Sequence, residues 1–302
     1  SGVRVGSLIA GEVDAIGNIG QQDEAPLAGA GIQLPARANP GLPFGITFNL
    51  SRPFGADPAI REALSWAIDR DEVVSAVYTS ATKPATAPLA SSTPGYADQS
   101  ALLGHDQAKA AAVLDAAGWL PGPDGVRVKD GRPLRIELTW FNNAGSNKPT
   151  LELLQQQLRE SLARVEILQQ RVRRVGIDLQ LRERPISDAS VIQQSGEFDA
   201  LWGNLTRADP DILRSSYSSK GANTYRFPAS PLDDLLAEQA AQSDEDQRSA
   251  TVAKILTNLT ENYLTIPVVE LTTTLGVSAN VHGLKYDASS RIQLYDTWKS
   301  QA

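Results

Sequence analysis

The stretch from Trp202 to Pro210 gathers an indole at Trp202, an amide at Asn204, a hydroxyl at Thr206, a guanidinium at Arg207 and a carboxylate at Asp209. It follows the apolar run Phe198 to Trp202, which reads as a short buried strand, and α/β proteins hold ligands at strand ends. An indole supplies an apolar face, amides and hydroxyls exchange hydrogen bonds with a polar solute, and a guanidinium presents a planar donor fork to a carboxylate or phosphate. The same residues admit a purely structural reading, with Trp202 in the core and Arg207 paired to Asp209 across the loop. Asn49, closing the strand Gly45 to Leu50, and Phe141 with Asn142, after the strand Leu134 to Trp140, share the strand-end placement. A turn-forming amide is the structural alternative for each asparagine. The ligand-binding candidates are therefore Asn49, Phe141, Asn142, Trp202, Asn204, Thr206, Arg207 and Asp209. In this reading Trp202 offers its face, Asn49 and Asn204 their amides, Arg207 holds a ligand anion, and Asp209 orients Arg207 or meets a ligand cation.

Little else in the sequence points to catalysis. With no cysteine, the chain has no disulfide, thiolate metal site or cysteine nucleophile, and its two histidines, His105 and His282, stand in no metal or triad spacing. Acid pairs such as Asp233 and Asp234, or the run Asp244 to Asp246, open helices, where carboxylates complement the dipole. Glycines at 2, 6, 29 and 31 lack the strand-loop-helix setting and the lysine of a phosphate cradle. The reading is a non-enzyme without cofactor or metal. A net charge of -7 argues against nucleic acid or an anionic membrane as the main partner. No apolar run approaches the roughly 18 to 20 residues of a membrane helix. The chain opens Ser1-Gly2-Val3, with no methionine anywhere, which suggests a mature or trimmed product.

The elements that must position these residues alternate between strand and helix, so the class is α/β. A short strand is expected within residues 2–10 and another at Val13 to Ile16, and the Pro-rich stretch 21–43 reads as an irregular connection. Asp57 with Pro58 starts a helix, Asp71 caps a second, and residues 82–96 hold too many prolines for a helix. A helix from Asp106 to Ala117 ends at Gly118, a hairpin lies between Asp124 and Gly131, and Ile177 to Leu181 is a strand. A polar loop is expected over 204–229, then helices over 231–241 and 244–263 and a strand over 266–271. The segment Leu151 to Arg159 recurs fourteen residues later as Val165 to Arg173, identical at five of nine positions. Fourteen residues is close to four turns, turning the apolar stripe by only about 40°, so a long helix over about 149–174 is expected. Leu154, Leu158, Val165, Leu168 and Val172 on its stripe read either as core or as a seam for a partner helix.

Taken in order, several short segments resemble the family 5 extracytoplasmic solute-binding proteins of ABC importers, the oligopeptide-, dipeptide- and nickel-binding type. They are Gly11 to Asp14, Phe48-Asn49, Arg52 to Phe54, Ile60 to Leu64, Ala67 to Arg70, Ala108-Lys109 with Leu114, Ala117 to Trp119, and Asp124-Gly125. Downstream follow Val175 to Ile177, Gly196 to Asp199, Trp202, Asp209-Pro210, Asp233 with Leu235-Leu236, and Ile266-Pro267. The order, rather than any single segment, carries the resemblance.

The resemblance implies a periplasmic-binding-protein type II-like fold: one near-complete lobe, residues 47–266, plus part of a second, residues 1–46 and 267–302. The lobes would be joined by crossovers near Ile46 to Leu50 and Ile266 to Leu271 and would close on a small polar or peptide-like solute for delivery to an ABC permease. It further implies an extracytoplasmic location, in relatives by a lipid anchor, and leaves room for a second chain that supplies the rest of lobe I. Peptide-binding relatives place an acid shortly after the tryptophan, whereas the third residue after Trp202 is Leu205. A second reading treats the chain as an isolated or engineered lobe whose long helix serves as an interaction scaffold.

Overall fold

The computed structural model describes residues 2–159 and 175–300. A strand without a polar face must be covered on both sides, and Gly41–Phe48 (β1) is such a strand. Phe44, Ile46 and Phe48 are buried, and so is Thr47, whose hydroxyl shares a hydrogen bond of 2.8 Å with that of Thr265. β1 lies within a six-stranded mixed sheet with Lys83–Pro84 (β2), Arg135–Phe141 (β3), Asp178–Arg184 (β4), Ala200–Thr206 (β5) and Thr265–Glu270 (β6), in the order β2-β6-β1-β5-β3-β4. The strands β5, β3 and β4 run parallel to one another, and β1 is antiparallel to both of its neighbours.

One apolar cluster joins the sheet to the helices Pro58–Ala67, Arg70–Val77, Gln107–Ala116 and Asn147–Arg159 through Ile60, Leu64, Val73, Leu114, Leu151 and Leu154. A second cluster gathers Ile212–Tyr217, Pro231–Ala241 and Glu245–Glu261 with Leu42 of β1. Local chemistry starts several of these helices where expected. The Asp57 carboxylate accepts from Ala59 N at 3.0 Å with Pro58 at the first position, and those of Asp106 and Asp244 accept from Lys109 N and Gln247 N. Each such cap contributes about 1 kcal/mol. Gly118, at φ +84°, closes the helix Gln107–Ala116 in the left-handed region. The hairpin expected near Asp124 to Gly131 is the centre of a three-stranded ribbon, with Arg127–Lys129 between Leu120–Pro121 and Arg132–Pro133.

Four local expectations are corrected. Residues Gly2–Ile9 form a helix: the alternation at Val3 and Val5 suggested a strand, but the buried pair is Val5 and Leu8, three residues apart, packed with Ile16 and Leu27. Gln21–Gly29 is also helical and tolerates Pro26, because Leu27 is fully buried and the Asp23 carboxylate accepts from Gly20 N at 3.0 Å. Asp69 rather than Asp71 caps Arg70–Val77, accepting from Glu72 N at 2.9 Å. The stretch 204–229 is not wholly loop, since β5 continues to Thr206 and a helical turn and a half follows at Ile212–Tyr217.

The smaller assembly consists of the first two helices, Ala15–Ile16 paired with Gly276–Val277, and two-residue ladders joining 281–282 to 298–299 and 285–286 to 292–293. The divisions expected at 46/47 and 266/267 fall inside β1 and β6, both of which belong wholly to the large sheet. Upstream of β1 and downstream of β6, Ala36–Ala38 pairs antiparallel with Thr272–Thr274. Of the repeated helix, Leu154 and Leu158 are fully buried core residues; 160–174, with Val165, Leu168, Val172 and the second copy, lie outside the described residues.

Candidate functional site

A cleft of about 760 Å³ lies where the two bodies face each other, within the usual size range of small-molecule sites. Arg4, Asn18 and Gln22 reach it from the smaller assembly, and Thr272 to Thr274 from the paired crossover. The large body contributes Phe44, the segment Val77 to Thr79 with Thr82, the turn Asn143 to Ser146, and Asn204.

Backbone irregularity aims two of these side chains. Between β1 and β5 the register slips, Gly203 opposing Gly45 but Leu205 opposing Leu42, and the bulge falls at Phe44 and Asn204. A bulge re-aims side chains, and here it turns both towards the cleft. Phe44 stacks on Trp202 with ring centroids 5.5 Å apart and planes 11° from parallel. Trp202, only 2% exposed, is thus the support beneath the cleft floor. Its Nε1 donates to Asn147 Oδ1 at 3.1 Å, and Asn147 Nδ2 donates to the Phe141 carbonyl at 2.9 Å and to Asn143 Oδ1 at 3.1 Å. Asn147 therefore ties the Trp202 strand, the end of β3 and the turn 143–146 to one another.

Hydroxyls dominate the other wall. Thr150 Oγ1 donates to Tyr78 Oη at 2.9 Å, and burial, opposed by that hydrogen bond, pushes the Tyr78 phenol above its ordinary range, so it stays neutral. Thr79 Oγ1 lies 3.2 Å from Thr82 Oγ1 and 3.3 Å from Thr274 Oγ1, linking the cleft wall to the crossover strand. The helix Gln21–Gly29 is fastened beside the cleft: Glu24 accepts from Ser80 N and Oγ, and Gln21 Nε2 donates to the Ser75 carbonyl at 2.7 Å.

Of the residues singled out in the sequence, Asn204 lines this cleft and Trp202 supports it from below. Asn49 is fully buried, donating to the Gly196 carbonyl and accepting from Ser51 N and Oγ; it is a turn-forming amide. Phe141 is buried with its carbonyl held by Asn147, and Asn142 is exposed outside the cleft, one residue before the lining Asn143. Thr206 and Arg207 are exposed beyond the cleft, Arg207 N donating to the Pro40 carbonyl and Nη1 reaching Ser215 Oγ at 3.5 Å. The expected partnership of Asp209 with Arg207 is replaced by one with Arg248, at 2.6 Å, whose hydrogen bond holds the Asp209 carboxyl below its usual range. Sequence reasoning missed Tyr78, Thr79, Thr82, Asn18, Gln22 and Arg4; the run Thr272-Thr273-Thr274 directly after a buried strand was the available signal. Among the described residues, no three histidine or acidic side chains come together as a metal site.

A two-layered helical cover over a mixed sheet, with a second body joined by paired crossover strands, defines the type II periplasmic-binding-protein fold, present here as one near-complete lobe plus part of the other. The chain belongs to the bacterial extracellular solute-binding proteins, family 5, whose family model matches residues 1–225. It is similar to the nickel-binding periplasmic protein of Escherichia coli (strain K12), 30% identical over 223 residues, covering 70% of this chain and 39% of that protein. The oligopeptide-binding protein AppA of Bacillus subtilis (strain 168) is 24% identical over 254 residues, 80% of this chain and 44% of AppA. Among solved structures, NikA from Brucella suis in complex with Fe(III)-EDTA superposes with a TM-score of 0.82 at 25% identity, covering 99% of this chain and 60% of NikA. AppA of Bacillus subtilis in complex with a nonapeptide gives 0.79 at 20% identity, covering 99% and 58%, and shares the fold. The chain spans less than half the length of the two curated relatives named here. Among the described residues no helix is long and apolar enough to cross a membrane.

Proposed function

We propose that this chain is the solute-capturing part of an ABC importer's binding protein, working on the outer side of the cytoplasmic membrane and handing a small polar solute to a permease. The observation that carries this reading is the cleft, walled by both bodies and floored by the bulged strand pair, in a chain of the solute-binding family. Capture needs no bond-making: the two bodies form the lobes of a hinged pair, and a solute bridging them favours the closed arrangement by its better affinity for it. The lobes divide at 36–40 and 271–275, which puts the threonine run at the hinge and within reach of the solute. Names of relatives, nickel-binding and oligopeptide-binding, support the class of activity.

Native mass spectrometry of the protein after exposure to a bacterial metabolite extract tests this. One small solute retained per chain under native conditions and released on denaturation is the expected result, with retention weakened in Asn204→Leu. A chain that stays unliganded, or a solute held equally well by Asn204→Leu, overturns the reading.

A further inference from the structure

The cleft's lining selects among solutes, and an inference about its ligand rests on the solute-binding reading above. Two features narrow the class. Four primary amides, Asn18, Gln22, Asn143 and Asn204, open into the cleft, and each amide can donate and accept at once. The Asn204 amide makes no hydrogen bond to another described residue, so both its groups face whatever enters. The Tyr78 hydroxyl adds a further group of this double character, while Thr272 and Thr273, whose hydroxyls donate to the Ala81 carbonyl and to Asn39 Oδ1, add acceptors. Alcohols match such a surface, since each hydroxyl both donates and accepts.

Charge supplies the second feature. Arg4 is the one charged residue among the described lining residues, none of which carries a carboxylate. Its Nη2 donates to the Asn18 carbonyl at 3.2 Å, which steadies the guanidinium and leaves its remaining donors open. A buried ammonium requires a carboxylate partner, whereas a carboxylate is met by this fork with charge-assisted hydrogen bonds.

We propose that the cleft takes a polyhydroxylated solute bearing one carboxylate, a sugar acid of about disaccharide size, rather than a free peptide with its terminal ammonium. The amides and hydroxyls read the solute's alcohols, and Arg4 holds the carboxylate.

Isothermal titration with three probes tests this: lactobionate, its uncharged counterpart lactose, and tri-alanine. Lactobionate is expected to bind at least tenfold more tightly than either of the others. Arg4→Gln, at an exposed position that leaves packing intact, should erase about tenfold of the lactobionate affinity and leave lactose unchanged. Asn204→Asp, close in shape, should weaken lactobionate more than lactose by placing a like charge beside the carboxylate. Tri-alanine binding more tightly than lactobionate would overturn the ligand class while leaving the solute-binding reading intact. Absence of heat from all three probes at millimolar concentration overturns the ligand class, and a native spectrum that also stays unliganded overturns the function itself.

Discussion

The two bodies of this molecule are held together by different means. In the larger, each helix buries an apolar stripe against a six-stranded sheet, and buried cations act as internal struts. Arg70, 6% exposed, donates from Nε to the Pro267 carbonyl at 2.8 Å and from Nη1 to the Leu103 carbonyl at 3.0 Å. Burial lowers its pKa to about 10, against the pull of Asp69 and Asp71, yet it stays charged near neutral pH. The smaller assembly has two-residue ladders, a cluster of Val5, Leu8, Ile16 and Leu27, and exposed apolar side chains at Leu294, Tyr295 and Trp298. The contrast teaches that the cleft has one rigid wall and one compliant one. On the proposed solute-binding reading, the first fixes ligand geometry and the second carries closure.

The largest test of that contrast is Arg70→Ala. It strips the partner from several buried carbonyls of the rigid body and should cost about 3 kcal/mol, near 6 to 12 °C in Tm for a body of this size. Calorimetry should show the loss as one cooperative transition; a shift under 2 °C, on the order of 0.5 kcal/mol, would break the picture of an internal strut.

A middling effect is expected at Asp233, 4% exposed. Burial alone would raise its carboxyl, but donation from Ser219 Oγ, Ser218 Oγ and Ser219 N outweighs burial and holds it below the ordinary value. A carboxylate depressed in the folded state contributes stability above its unfolded pKa and loses it as pH falls through the folded value. Asp233→Asn should therefore cost about 1 to 2 kcal/mol at pH 7 and progressively less below about pH 4, read by urea unfolding across pH. An undiminished gap at pH 3 would discard the ionised-acceptor account.

The smallest effect belongs to the compliant side. Glu24→Ala removes the acceptor for Ser80 N and Oγ at the edge of the cleft and should cost no more than about 1 kcal/mol. Hydrogen exchange should nevertheless quicken over residues 21–29 while β1 and β5 keep their protection. Equal acceleration in both bodies would erase the distinction between the walls.

What the sequence disclosed follows the same division. Asp57, Asp106 and Gly118 announced helix ends correctly, because capping is decided within four residues. Phe198 to Trp202 was legible as a strand from its apolar run, although β5 runs on to Thr206. Whether Trp202 meets solvent, ligand or core depends on Phe44 and Asn147, distant in the chain, so the sequence could place Trp202 at a site without showing that it lies beneath the floor. Arg207 was misjudged for a related reason: its neighbour Asp209 is held by Arg248 from a later helix, a pairing that no local spacing encodes. The helix Gln21–Gly29 was missed because the burial of Leu27 outweighs the local cost of Pro26.

One further consequence comes from the pairing of Ala36–Ala38 with Thr272–Thr274. Two separate connections would let the bodies twist and slide as well as swing. Laced side by side, they behave as a leaf spring: a two-stranded ribbon flexes readily across its plane and resists shear within it. On the proposed hinge reading, movement is reduced to nearly one degree of freedom, and a single angular coordinate, measurable as one distance between labels on Ser75 and Tyr295, describes the whole excursion.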